Sequence, residues 1–204
     1  MNIQENPYIK RIFKTVSEHI RSGDERRKKI EKLKTTQESE HTTPHQKEEI
    51  TRELSVMPVQ VVNVQAAFQD AIQAIADEYI ESVRKWGIPS SENLTDAAVL
   101  SGAIELTPDD LTALEEKHAG NETMARALRE YAKRNDLHWM RSSPSPELKI
   151  NSMQEICKYF ADHREDGLSA QNFTLFEMGQ GEAVSSFLSK HDAIIGNGRE
   201  LKTV

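Results

Sequence analysis

VVNVQAAFQDAIQAIADEYIESVRKW, residues 61–86, carries Val61, Val64, Phe68, Ala71, Ile75, Tyr79, Val83 and Trp86 at steps of three or four, with Asp, Glu and Gln between them. An α-helix turns once in about 3.6 residues, so these side chains share one stripe over about seven turns. Such a stripe is the seam of a bundle or a coiled coil. A narrow apolar stripe needs a covering surface, supplied either by the protein's own helices or by a sister subunit. Val64, Phe68, Ile75, Tyr79, Val83 and Trp86 are therefore the expected self-association seam. Gly87 and Pro89 stop the helix, the first as a left-handed cap and the second by lacking an amide donor.

Working back from the seam, VQVVNV at 59–64 has the β-branched content of a strand, but no turn separates it from the helical pattern, and it reads as the start of the helix. Pro58 is expected to end or kink what precedes it. Thr43, Pro44 and Gln46 form a capping-box start for a helix carrying Ile50 and Leu54. The polar stretch Thr35–His45, TTQESEHTTPH, reads as a linker and a domain boundary.

At the N-terminus, Asn6 and Pro7 open a helix with Ile9, Ile12, Phe13, Val16 and Ile20 on one face. Gly23 and Asp24 interrupt or re-cap it. From Asp24 to Lys34 only Ile30 and Leu33 are apolar, too thin a seam to hold that stretch on a core. It is expected to lie in solvent or on a partner.

Beyond the seam, Thr95–Ile104 reads as a short helix. Thr107, Pro108, Asp109 and Asp110 combine a cap, a helix-start proline and dipole-matched acids. That helix carries Leu111 and Leu114 to Gly120, and Asn121 caps another bearing Met124, Leu128 and Tyr131 to about Asn135. Leu137–Pro146 is a looser connection with two Ser-Pro pairs. Ser152 and Glu155 form a capping box for a helix with Met153, Ile156 and Phe160, closed at Gly167. Phe173, Leu175, Phe176 and Met178 precede Gly179 and Gly181, and a last amphipathic stretch holds Val184, Phe187 and Leu188. A tail from Gly196 is expected to fray.

The expected architecture is all-α: a helical bundle with a long amphipathic helix and an extended basic N-terminal helical arm. Residues 1–42 form the arm and linker, 43–136 the helical core, and 137–204 a smaller C-terminal helical subdomain with a loose tail. Apolar residues make up 37% of the chain, below the roughly 45–50% of compact domains, so some helix must be solvated. The net charge is −7, but Tyr8–Lys34 holds ten Lys and Arg against four Asp and Glu, a net +6 that leaves −13 for the rest. A basic arm on an acidic body suits nucleic acid or an acidic protein surface.

No apolar run approaches the roughly 18 residues of a membrane span, and MNIQENPYIK lacks the apolar core of a secretory signal. A single cysteine, Cys157, fits a reducing compartment and reads as a small buried hydrophobe. The expected setting is cytoplasmic without a membrane partner, or a host cytoplasm or virion were the source viral.

Candidate chemistry is sparse. His41 and His45 have four-residue spacing, but Pro44 lies between them in a polar linker. Glu115 with His118 and Glu38 with His41 reproduce the Glu-x-x-His spacing of di-iron helices without the flanking glutamates such a centre needs. MGQGEAVSS, from Met178, has glycines before a helix but no lysine, and Glu182 stands where a phosphate would sit. The helices around Gly120 fit a DNA-reading turn poorly, with Glu116 and Asn121 at positions that should be small and apolar. Catalytic residues, cofactors and metal ligands are accordingly not expected.

The leading expectation is a non-enzymatic interaction or assembly protein: a structural, scaffolding or adaptor component of a larger complex, for example a viral particle. Ile9, Ile12, Phe13, Val16 and Ile20 would dock on a protein partner or sister subunit, and a homo-oligomer is expected. A second expectation is a nucleic-acid-binding or packaging accessory protein whose Arg26, Arg27, Lys28, Lys29, Lys32 and Lys34 contact phosphates or an acidic partner, although Glu25 and Glu31 interrupt the run and no aromatic residue is there to stack bases. A third is an inhibitor or small enzyme, with Glu115, His118 and Tyr131 as the residues to inspect first.

Overall fold

Helix accounts for all the regular structure in the computed structural model, which describes residues 3–86, 100, 104–118, 121–141, 144–164 and 168–195. A 3-10 turn at Ile3–Glu5 precedes α1 (Pro7–Glu38), α2 (Pro44–Trp86), α3 (Pro108–Lys117), α4 (Glu122–Arg134), α5 (Pro146–Ala161), α6 (Leu168–Glu177) and α7 (Glu182–Ile195). The chain is an all-α helical bundle, and the seam at 61–86 lies on its longest helix. The short helix expected at 95–104, apart from Leu100 and Ile104, lies outside the described residues, as do the stops at Gly87, Pro89, Gly120 and Gly167 and the tail from Gly196.

Contacts divide the chain into two compact units that do not follow the three sequence segments. One is drawn from Pro7–Ala76 and Glu155–Lys190, the other from Met1–Asn6, Asp77–Gln154 and His191–Val204. Helices that fold back on one another pack residues distant in sequence, which a linear division does not capture.

In the first unit α1 and the start of α2 form an antiparallel hairpin. Gln37 Nε2 donates to Thr51 Oγ1 at 2.7 Å, Lys29 pairs with Glu53 at 2.5 Å, and His19 meets Gln65 at 3.1 Å, so partners on α2 advance as those on α1 retreat. The expected linker at 35–45 shrinks to residues 39–43, because Thr35 and Thr36 return their hydroxyls to the carbonyls of Glu31 and Lys32 and α1 continues to Glu38. The capping box at its far side is formed: Thr43 N donates to Gln46 Oε1 at 2.9 Å and Gln46 N to Thr43 Oγ1 at 3.4 Å. Neither Gly23 nor Pro58 breaks its helix. A helix-interior proline costs about 3 kcal/mol, and burial of Ile50 and Met57 in the turns that precede it, at about 1.5–3 kcal/mol each, offsets it.

The rest of this unit is an aromatic cluster centred on Phe13, whose ring meets Phe160, Phe173 and Phe176 edge-on at 5.6, 5.8 and 5.4 Å. Tyr159 stacks on Phe187 at 4.0 Å, and burial raises its phenol pKa. Gly179 ends α6 with φ +77°, its amide and that of Gln180 donating to Phe176 O and Leu175 O. A Cβ on Gly181 would overlap the Phe176 backbone. These two glycines serve a tight turn and a close approach.

In the second unit α3 and α4 pack around Leu100, Leu111, Met124, Leu128, Tyr131 and Ala132. Thr107 and Asp110 form a reciprocal capping box, and Asn121 caps α4 through Met124 N at 3.0 Å. Helix α5 begins at Pro146 rather than Ser152, with Ser145 Oγ accepting from Leu148 N at 3.3 Å. Cap and first-turn proline coincide at Ser145-Pro146, so Ser152 falls in the helix interior.

Candidate interaction site

A groove of about 570 Å³ lies in the first unit. One wall comes from α1 through Gly23, Arg26, Arg27 and Ile30, and the other from α2 through Val61, Val62, Gln65, Ala66 and Gln69. Arg164, just past α5, completes it.

Gln65 organises the base. Its Nε2 donates to the carbonyls of Ala161 at 3.4 Å and His163 at 3.2 Å, leaving Oε1 to accept from His19 Nε2 at 3.1 Å. The His19 ring also stacks on Phe68, with centroids 4.0 Å apart and planes at 12°. One side chain thus ties α1, α2 and the segment that presents Arg164.

Among the described residues, three guanidinium groups and no carboxylate line the groove. Arg27 pairs with Asp24, and Arg26 donates to Ser22 Oγ at 3.4 Å. The floor and α2 wall are aliphatic. Beyond the groove the same helix carries Val56 and Val59 into solvent; Val59 is 64% and Val62 68% exposed.

The sequence-predicted residues distribute unevenly around this feature. Ile9, Ile12, Val16 and Ile20 are buried within the chain, and Phe13 belongs to the aromatic cluster. Within the chain their covering surface is intramolecular. Most of the expected self-association seam is likewise covered within the chain. Phe68, Ile75, Tyr79 and Val83 are buried and Val64 is half-buried, while Trp86 is the last residue of α2. Of the basic run, Arg26 and Arg27 reach the groove; Lys28, Lys29, Lys32 and Lys34 are exposed on α1, Lys29 against Glu53.

Sequence reasoning passed over the exposed valines, which it absorbed into the start of the helix, although Val56, Val59 and Val62 at three-residue steps carry a readable signal. Arg164 had none, since its place depends on Gln65, 98 positions away from His163.

Two of the three residues to inspect first, Tyr131 and Glu115, make contacts within the fold, and His118 is the C-cap residue of α3. Tyr131 OH accepts from Leu106 N at 3.0 Å and donates to Ile104 O at 3.2 Å. Glu115 and Glu122 are buried around Arg141, whose Nη1 lies 2.9 Å from Glu122 Oε2 and whose Nε lies 3.9 Å from Glu115 Oε1. Ser152 Oγ lies 2.6 Å from His191 Nδ1, a nucleophile and base by type, but both residues are buried. Among the described residues no three His, Cys, Asp or Glu side chains converge as a metal would require, and no helix is long and apolar enough to cross a membrane. Cys157 is buried. No family model, curated protein or solved structure matches the chain.

Proposed function

We propose that this chain is a non-enzymatic helical interaction protein, an adaptor or assembly component of a larger cytoplasmic or viral complex, and that it works through the α1/α2 hairpin. The carrying observation is the exposed aliphatic row on α2 beside an arginine-lined groove. Exposed apolar rows rimmed by polar groups are characteristic of protein contact surfaces, since leaving them in water costs about 25 cal/mol per Å². The single buried cysteine is in keeping with a reducing setting.

A photo-crosslinking residue placed at Val62, and in a second variant at exposed Glu130 on α4, tests the reading in the cells that make the protein. Adducts that form from position 62 and not from 130 are expected; equal yields from both, or none from either, end it.

The exposed cations of α1 favour a second reading, a phosphate clamp for nucleic acid. Its mark is a steep fall of affinity with salt, of order one power of salt concentration per phosphate neutralised. Binding of duplex or single strands that does not respond to salt rejects it.

A further inference from the structure

We propose that a second copy of this chain covers the exposed row on α2, the two helices packing antiparallel about a two-fold axis near Val61. The inference rests on the reading of the hairpin as an interaction surface and names its partner. Val56, Val59, Asn63 and Ala66 follow one another at steps of three and four, and all are exposed. Val62 borders the row. Arg52 stands one turn before it and Asp70 one turn after it. Their separation of eighteen residues is about five full turns, so both lie in line with the row, about 27 Å apart. All of these residues belong to the first unit. Arg52 and Asp70 are exposed, and among the described residues neither side chain is hydrogen-bonded or ion-paired.

Opposite charges at the two ends of one face make that face complementary to itself. In an isologous contact residue i of one copy meets residue j of the other, and j meets i. With the axis near Val61, Arg52 of each copy faces Asp70 of the other, Val56 faces Ala66, and Val59 faces Asn63. Alternating steps of three and four are the spacing by which two helices interlock along such a seam. Glu49 falls opposite Gln73, so no like charge opposes the pairing. Parallel helices would instead set each arginine against its own counterpart and each aspartate likewise, a like-charge contact at both ends. A polyanion fits less well, because the row ends on a carboxylate and holds no aromatic ring for base stacking. Five turns of small side chains make a contact at the low end of specific interfaces, so association in the micromolar range is expected.

Sedimentation equilibrium of the full chain tests this. A monomer–dimer equilibrium is expected, weakening as salt rises. Arg52→Asp alone, and Asp70→Arg alone, place like charges at both ends and are expected to raise Kd about tenfold or more. Mixing these two variants, or combining both substitutions in one chain, makes the ends opposite again and should return Kd to within about threefold of the unsubstituted value. Val59→Asp is expected to abolish the dimer and Val59→Leu to retain it. These positions are exposed, and circular dichroism melts confirm that the variants fold.

A chain that stays monomeric at every concentration overturns the proposal. So does a dimer that ignores Val59→Asp, which would place the contact on another face, or one that ignores the charge reversals, which would remove the antiparallel register. Crosslinking at Val62 that captures other proteins while the isolated chain stays monomeric leaves the interaction surface standing and removes only the second copy as its occupant.

Discussion

Gln65 Nε2 donates to the carbonyl oxygen of His163 at 3.2 Å, joining positions 98 apart in sequence, while the same amide accepts from His19. The groove therefore has a fixed base: the segment carrying Arg164 and the helix carrying Arg26 are referred to one side chain. Gln65→Leu removes three hydrogen bonds, although the Ala161 carbonyl keeps the one from Gln69 Nε2 at 3.3 Å. With Gln65 half-buried, a loss of about 1–3 kcal/mol is expected in urea unfolding, where an unchanged midpoint would mean that solvent replaces these bonds without cost.

Pro58 lies in the interior of α2, where it supplies no amide to Leu54 O. Neighbouring burial tolerates it rather than requiring it. Pro58→Ala is expected to raise stability by about 1–3 kcal/mol, read as a higher melting temperature. A fall would show that the packing of α2 depends on a bend at this residue.

The legible parts of the fold were those governed by local chemistry. Thr107 with Asp110, Asn121, and Thr43 with Gln46 each cap a helix as their residue types predict, because a cap is decided within four positions. Pro58, Gly23 and the Thr35–Glu38 stretch misled for the opposite reason: local propensity is worth about a kilocalorie or a few, and burial of Ile50, Met57 and the α1 stripe outweighs it. The charge count singled out Arg26 and Arg27, half of the groove's chemistry. The stripe Ile9–Ile20 was legible as apolar, but no periodicity distinguishes a face covered by the chain itself from one awaiting a partner.

Asp110 gives the clearest pH dependence. Hydrogen bonds from the Thr107 backbone, then from its hydroxyl, hold the carboxyl below its ordinary value of 3.8. A depressed folded-state pKa stabilises above the unfolded value, and the contribution is lost as pH falls through the folded one. The melting temperature of Asp110→Asn is therefore expected to lie below that of the unsubstituted protein at neutral pH. The gap should close as pH drops beneath the ordinary carboxylate range, and a gap independent of pH would assign the cap's value to geometry alone.

Arg141 is the substitution expected to cost most. Its guanidinium is the shared cation of Glu115 and Glu122, the latter only 2% exposed, and it fastens the segment after α4 onto the α3–α4 hairpin. Arg126 also approaches Glu122, at 3.5 Å, with its side chain 46% exposed, so solvent screens it. Arg141→Met keeps most of the aliphatic stem but leaves two carboxylates shut from water beside one another. Breaking a buried pair by removing one partner costs about 3–5 kcal/mol, most of it the desolvation of the charge left behind. The discriminating variant adds Glu115→Gln and Glu122→Gln to Arg141→Met, which removes every charge of the cluster while keeping its volume. If orphaned charge causes the loss, the triple variant should recover at least half of it in urea unfolding, with the single and triple variants compared at the same pH. If the triple variant is as unstable as the single one, the guanidinium acts by packing and hydrogen bonding of the 137–141 segment, and the two glutamates add nothing through their charge.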